Sequence, residues 1–199
     1  GRLRTAFARP VKASVPVICV GNIVAGGAGK TPIAIAIAER LQAAGKTVHF
    51  LTRGYGGSEK GPLLVDLNHH GFEQVGDESL LLSRTAPTWV ARDRVKGAIA
   101  AVAGGAEILV LDDGFQNPSL VKDLSLVVVD GGFGFGNRRL LPAGPLREPL
   151  QRGLARADAV VILGRDRVDV ASVLSPRLTR LGAWLRPGSE IHLPNMPTM

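Results

Sequence analysis

Cysteine is almost missing. Cys19 stands alone in 199 residues, which excludes a disulfide framework and any cysteine-built zinc centre and makes a reducing compartment the default. Aromatic residues are scarce at 5%, too few for a protein that reads nucleic acid by stacking bases, so no nucleic-acid partner is expected. Long apolar runs are absent as well. Runs such as Ile33–Ala38 and Ala159–Leu163 fall far short of the ~18 residues of a membrane span and suit a buried helix face and a buried strand. Acidic residues are in deficit, 17 against 24 Lys and Arg, and the net charge of +7 favours anionic partners such as nucleotides or acidic lipids. Four histidines (His49, His69, His70 and His192) show no metal-ligand spacing, and His49, inside an apolar run, reads as structural. The rest is ordinary. A chain that is 45% hydrophobic and 21% charged forms a packed core rather than a disordered tract. Its length fits one domain, or a domain with a fragment.

Short β-branched runs alternate with helical stretches. Strands are expected at Val15–Val20, Thr47–Leu51, Leu63–Leu67, Thr88–Ala91, Ile108–Leu111, Leu124–Val129 and Ala159–Leu163. Helices are expected at Lys30–Ala44, Asp77–Thr85, Arg92–Ala103, Glu148–Ala157 and, weakly, Val168–Leu178. Residues 131–149 read as a long loop rich in Gly, Pro and Arg. Strands uninterrupted by polar residues suit a parallel sheet covered on both faces. The expected class is α/β, a three-layer α/β/α sandwich with a mostly parallel sheet. The pattern divides into a basic segment 1–14, a core domain 15–165 and a weakly patterned tail 166–199.

The strongest local signal runs from Gly21 to Thr31, with Gly26, Gly27, Ala28, Gly29, Lys30 and Thr31 at its end. It follows a strand and opens a helix, as a phosphate loop requires. Glycines let successive N–H groups face phosphate oxygens, and the helix N-terminus adds a favourable dipole. Lys30 is placed to reach the β- and γ-phosphates of ATP, and Thr31 to set its hydroxyl on Mg²⁺. The match is a variant, since Val24 stands where the strict pattern has glycine. Downstream, Ile108–Leu111 ends in Asp112 and Asp113. A carboxylate at a strand's C-terminal end beside a phosphate loop can hold Mg²⁺, as in a Walker-B element; the plainer reading is a turn before Gly114. Asp77 and Glu78 open a predicted helix, where either a cap or a base for a hydroxyl acceptor is possible, and the residues alone favour the cap. Arg92–Arg94 and the arginines of residues 138–147 are anion sites or solvated faces.

Taken together, these stretches resemble the tetraacyldisaccharide 4′-kinases of lipid A biosynthesis. The resemblance rests on Val20–Asn22 with Gly26–Pro32, Arg53–Gly56, Gly76–Glu78, Arg92–Arg94, Asp112–Gln116 and Arg139–Glu148, in the family's order and spanning residues 15 to about 165. The Asp-Asp-Gly-Phe-Gln and Leu-Pro-Ala-Gly-Pro-Leu-Arg-Glu stretches are the specific ones. The resemblance implies a P-loop NTPase-like fold. It implies transfer of the ATP γ-phosphate to the 4′-hydroxyl of tetraacyldisaccharide 1-phosphate, giving lipid IVA, with ATP and Mg²⁺ required. It implies Asp77 and Lys30 as catalytic, Gly26–Thr31 as nucleotide-binding, and Thr31, Asp112, Asp113 and Glu148 on the metal. It implies Arg53, Tyr55, Arg94, Gln116 and Arg147 on the substrate side, and it favours the base over the cap for Asp77. The implied partners are the acylated glucosamine disaccharide and the anionic cytoplasmic face of the bacterial inner membrane, with a monomer when complete. It further implies a membrane-seating helix of which Gly1–Lys12 is the basic end, and a second lobe after this one that carries the histidine partner of Asp77; His192 does not match that histidine, and a fragment lacking both is expected to be soluble and poorly active. The competing readings are a nucleotide-driven switch or partition ATPase, disfavoured by Ala25 where such proteins often have lysine, and another small-molecule kinase, which has no need of the Arg139–Glu148 loop.

Overall fold

The computed structural model describes residues 9–186. Most of the basic segment 1–14, and His192, lie outside them. The described residues form eight strands: β1 (Val17–Gly21), β2 (Val48–Thr52), β3 (Leu63–Leu64), β4 (Thr88–Val90), β5 (Ile108–Asp112), β6 (Leu124–Asp130), β7 (Ala159–Leu163) and β8 (Thr179–Ala183). Between them lie α1 (Lys30–Ala43), α2 (Phe72–Val75), α3 (Asp77–Ser83), α4 (Arg94–Ala103), α5 (Leu150–Leu154) and α6 (Val170–Val173). All strands join one sheet in the order β3-β4-β2-β5-β1-β6-β7-β8. Every pairing is parallel except β3 with β4.

The apolar strands explain the layers. Side chains alternate across a strand, so a run with no polar position must be covered on both sides. Cys19, Leu109, Leu111, Val127, Val129, Val160 and Ile162 enter one core with Ala98 and Ala101 of α4 and Leu150 and Leu154 of α5. Their neighbours Val20, Val110, Leu126, Val128 and Val161 enter the other, with Ile33, Ala34 and Ala38 of α1 and Leu82 of α3. The fold is the expected three-layer sandwich.

Most expected elements appear within two residues of their predicted bounds. α4 starts at Arg94 rather than Arg92 because the Asp93 carboxylate accepts from the Val95 and Lys96 amides, which makes Asp93 the cap. β3 and α5 are shorter than predicted, and α2 was not foreseen. Residues 166–186 differ most from expectation. In place of a weak helix and a tail, they form the short α6 and then β8, which pairs in parallel with β7 and extends the sheet. As an edge strand β8 is largely exposed and carries no apolar alternation, so its sequence holds no strand signal.

Candidate active site

Strand order places the site. β1 lies between β5 and β6, and the chain leaves it towards opposite edges, which opens a crevice at the strands' C-terminal ends. The phosphate loop sits there. The buried Asn22 amide donates to the Gly26 carbonyl (3.2 Å) and folds the loop on itself. Gly29 is the N-cap of α1 at φ 75°, and a Cβ there would stand 2.3 Å from Leu163 Cδ2, so only glycine fits. No side chain caps this helix and none in its first turn is acidic, which leaves its leading N–H groups available to an anion. A Cβ at Gly26 or Gly27 would meet no atom within 4 Å, so the space outside the loop is open.

The adjacent carboxylates part ways. Asp112, 1% exposed at the end of β5, accepts a hydrogen bond at Oδ2 from the Thr31 hydroxyl (2.9 Å). Its Oδ1 has no partner among the described residues. Burial pushes its pKa up to about 6, against the Thr31 hydrogen bond, which lowers it. A buried, unpartnered carboxylate oxygen beside a threonine hydroxyl is a donor set suited to a hard divalent cation. Asp113 turns the other way. Its backbone adopts φ 54° while its amide donates to Val20 O (3.0 Å). Its carboxylate lies 3.8 Å from Lys30 Nζ and accepts from Arg147 at 3.1 and 3.2 Å. Among the described residues no three His, Cys, Asp or Glu side chains cluster as a metal site.

Arg147 reaches Asp113 because its loop is stitched to the phosphate loop. The Ala25 amide donates to Pro145 O (2.7 Å) and the Arg147 amide to Ile23 O (2.9 Å), while Leu146 is buried between them. Glu148 points elsewhere. Arg156 grips it with both ends of its guanidinium (2.7 and 2.8 Å), and Gln116 donates to it (3.1 Å) as well as to Asn22 O (2.7 Å). Burial alone would raise the Glu148 pKa, but the Arg156 and Gln116 hydrogen bonds hold it below the ordinary value. Its oxygens thus face Arg156 and Gln116, not Thr31 and Asp112.

On the opposite wall, Gly76 precedes α3 at φ 81°, and a Cβ there would stand 2.3 Å from Tyr55 O. That close approach binds the Arg53–Gly56 loop to the start of α3. The cap of α3 is Gly76, not Asp77, which corrects the capping expectation. Asp77 is exposed, and its Oδ1 accepts from the Glu78 amide (2.9 Å). Glu78, read with Asp77 as a cap or a base, faces the same charges. Burial raises its pKa, Lys30 opposes the rise, and Asp113 and Asp77 add to it. The adjacent acids offer no sequence signal for which one turns inward. Arg53 is exposed and Tyr55 is 79% exposed. Arg94, expected on the substrate side, is buried. Its guanidinium donates to Ala91 O, and burial lowers its pKa to about 10, helped by Arg53. His49 lies within β2 as a buried acceptor for Trp89 Nε1 (3.2 Å), apart from these groups, in keeping with a structural role.

Comparison with known proteins bears on this arrangement. Residues 1–196 match the family model described as LpxK, tetraacyldisaccharide-1-P 4′-kinase. The tetraacyldisaccharide 4′-kinase of Paramagnetospirillum magneticum is 61% identical over 184 residues, covering 92% of this chain and 57% of that protein. The one from Rhodospirillum rubrum is 54% identical, over 94% of this chain and 58% of its own length. The chain thus spans just over half the length of these relatives. The crystal structure of LpxK from Aquifex aeolicus in complex with ATP superposes with a TM-score of 0.74 at 34% identity, covering 89% of this chain and 57% of that one. A match over nearly the whole sequence, the shared fold and the convergence of Lys30, Asp113 and Arg147 lead to one conclusion: this chain belongs to the tetraacyldisaccharide-1-P 4′-kinase family.

Proposed function

We propose that this chain is the ATP-binding and acceptor-activating lobe of a lipid kinase that phosphorylates the 4′-hydroxyl of tetraacyldisaccharide 1-phosphate. The observation that carries the reading is the Asp113 carboxylate, held between Lys30 of the phosphate loop and Arg147 of the Arg139–Glu148 loop. A general phosphate loop has no need of the second partner. Gly26–Thr31 cradle the β- and γ-phosphates, with the open N-terminus of α1 beneath them. Lys30, only loosely paired with Asp113 at 3.8 Å, meets the charge that develops on the γ-phosphate. Thr31 and Asp112 would hold Mg²⁺, with Asp113 beside them. Once bound, Mg²⁺ neutralises charge on the β- and γ-phosphates.

Asp77 accepts the proton of the 4′-hydroxyl as that oxygen bonds to the γ-phosphorus. The bond from the γ-phosphorus to the β–γ bridging oxygen breaks and ADP leaves. Arg147 turns to the transferring phosphoryl group, Gln116 orients the wall beside it, and Arg53 and Tyr55 meet the glucosamine headgroup. Glu148 holds Gln116 in place and does not reach the metal residues Thr31 and Asp112. Arg94, buried behind these groups, contributes positive charge rather than contact. The net charge of +7 suits an anionic lipid and the cytoplasmic face of the inner membrane, where a monomer works peripherally. Among the described residues no helix is long and apolar enough to cross a membrane.

The test is transfer of labelled γ-phosphate from ATP to the purified lipid acceptor by the full-length protein. Asp77→Asn is expected to lower kcat by about 10²-fold or more while leaving ATP binding in place. An Asp77→Asn enzyme with wild-type kcat removes the proposed base.

A further inference from the structure

Arg156 was not marked by any motif, yet it touches both family-specific loops. It follows α5 and lies 41% exposed, where a single ion pair is ordinarily worth little. Its surroundings are not ordinary. Its two terminal nitrogens meet the two Glu148 oxygens at 2.7 and 2.8 Å, a fork-on-fork pairing that only arginine makes. Its guanidinium carbon stands 4.8 Å from the centroid of the buried Phe115 ring. Glu148 is only 12% exposed and passes the connection on by accepting from the Gln116 amide, which also donates to the first carbonyl of the phosphate loop, Asn22 O. Residue 147, next along the chain, carries the arginine that holds Asp113. One side chain therefore links α5, the Gly114–Gln116 turn and the phosphate loop.

We propose that Arg156 is a positioning residue for phosphoryl transfer, which fixes Glu148 against Gln116 and so sets the turn after β5 and Arg147 in register with the phosphate loop. The proposal rests on the kinase reading above. Arg156 touches none of the reacting atoms; it acts through Glu148. Small misplacements of a transfer site are costly: an error near 1 Å can cost ~10²-fold. Removing the fork is therefore expected to show in kcat more than in ATP affinity.

The experiment is a double-mutant cycle in the full-length enzyme, with labelled ATP and the lipid acceptor, alongside thermal melts. Wild-type transfer must be seen first; its absence would refute the kinase reading rather than this one. Arg156→Ala is expected to lower kcat by about tenfold or more, with KM for ATP within about threefold. In a Glu148→Gln background the same change should cost less than about twofold more, because the pathway is already cut. Arg156→Lys, which keeps the charge but not the fork, should recover less than half of the loss. If Arg156→Ala does not fold, Arg156→Gln, with a shorter but polar stem, is read in its place. Losses that multiply across the cycle, full rescue by lysine, or a lowered Tm with unchanged kcat would each overturn the proposal.

Discussion

The two walls of the crevice are built differently. On the nucleotide wall Lys30 is 7% exposed, and Thr31 and Asp112 are buried and bonded to each other. On the wall proposed to take the acceptor Arg53, Tyr55 and Asp77 are exposed, and among the described residues the Asp77 carboxylate engages only its neighbour's amide. A wall assembled before its ligand arrives stabilises developing charge without reorganising at the moment of transfer. A wall left open is completed by what docks on it. The contrast teaches that the half around the phosphate loop is assembled within this chain, whereas the half around Asp77, proposed to take the acceptor, is left open.

The contrast breaks first at Lys30. Lys30→Ala removes the cation from the transferring phosphoryl group and is expected to lower kcat/KM by at least ~10³-fold in full-length enzyme. Steady-state kinetics within tenfold of wild type would take the loop out of the mechanism. Arg147→Ala comes next. It frees Asp113 from one of its two cations, and an expected loss of about 10²-fold in kcat should exceed any change in lipid KM. The acceptor wall should respond in the opposite sense. Tyr55→Ala is expected to raise the lipid KM about tenfold and leave ATP titrations unchanged; an altered ATP affinity would join the two walls that are held apart here.

The smallest effect concerns pH. The Asp112 pKa is raised from 3.8 to about 6, chiefly by burial, so the folded protein binds this proton more tightly than the unfolded chain does. Stability from this group is therefore lost as pH rises from near 4 through 6. In EDTA, wild type should gain Tm on acidification from pH 7 towards pH 5.5 relative to Asp112→Asn, which has no proton to gain. Parallel melting curves for the two proteins would show that Asp112 is not strained.

The nucleotide wall was the legible one, for a physical reason. A phosphate loop and a strand-end carboxylate pair are local: glycines, Lys30 and Thr31 lie within a few residues, and the apolar runs before Gly21 and Asp112 set their strands. The acceptor wall and the braces depend on residues brought together by folding. That Asp112 bonds Thr31 while Asp113 faces Lys30 and Arg147 follows from the φ of 54° at Asp113, which nothing in two adjacent aspartates announces. The Arg156–Glu148 fork has a spacing of eight residues but no motif. Arg94, open between an anion site and a solvated face on its residues and placed on the substrate side by the resemblance, is buried, because α4 starts there and packs on the sheet. β8 escaped notice because an exposed edge needs no apolar pattern.

The preformed nucleotide wall is the central claim, and calorimetry tests it directly. A non-hydrolysable ATP analogue with Mg²⁺ is titrated into residues 1–199, their Lys30→Ala variant and their Asp77→Asn variant. Saturable binding to the first, loss of it in Lys30→Ala and retention in Asp77→Asn are the predicted results. Absence of binding in the folded wild-type chain, or binding that survives Lys30→Ala but fails in Asp77→Asn, would contradict the account.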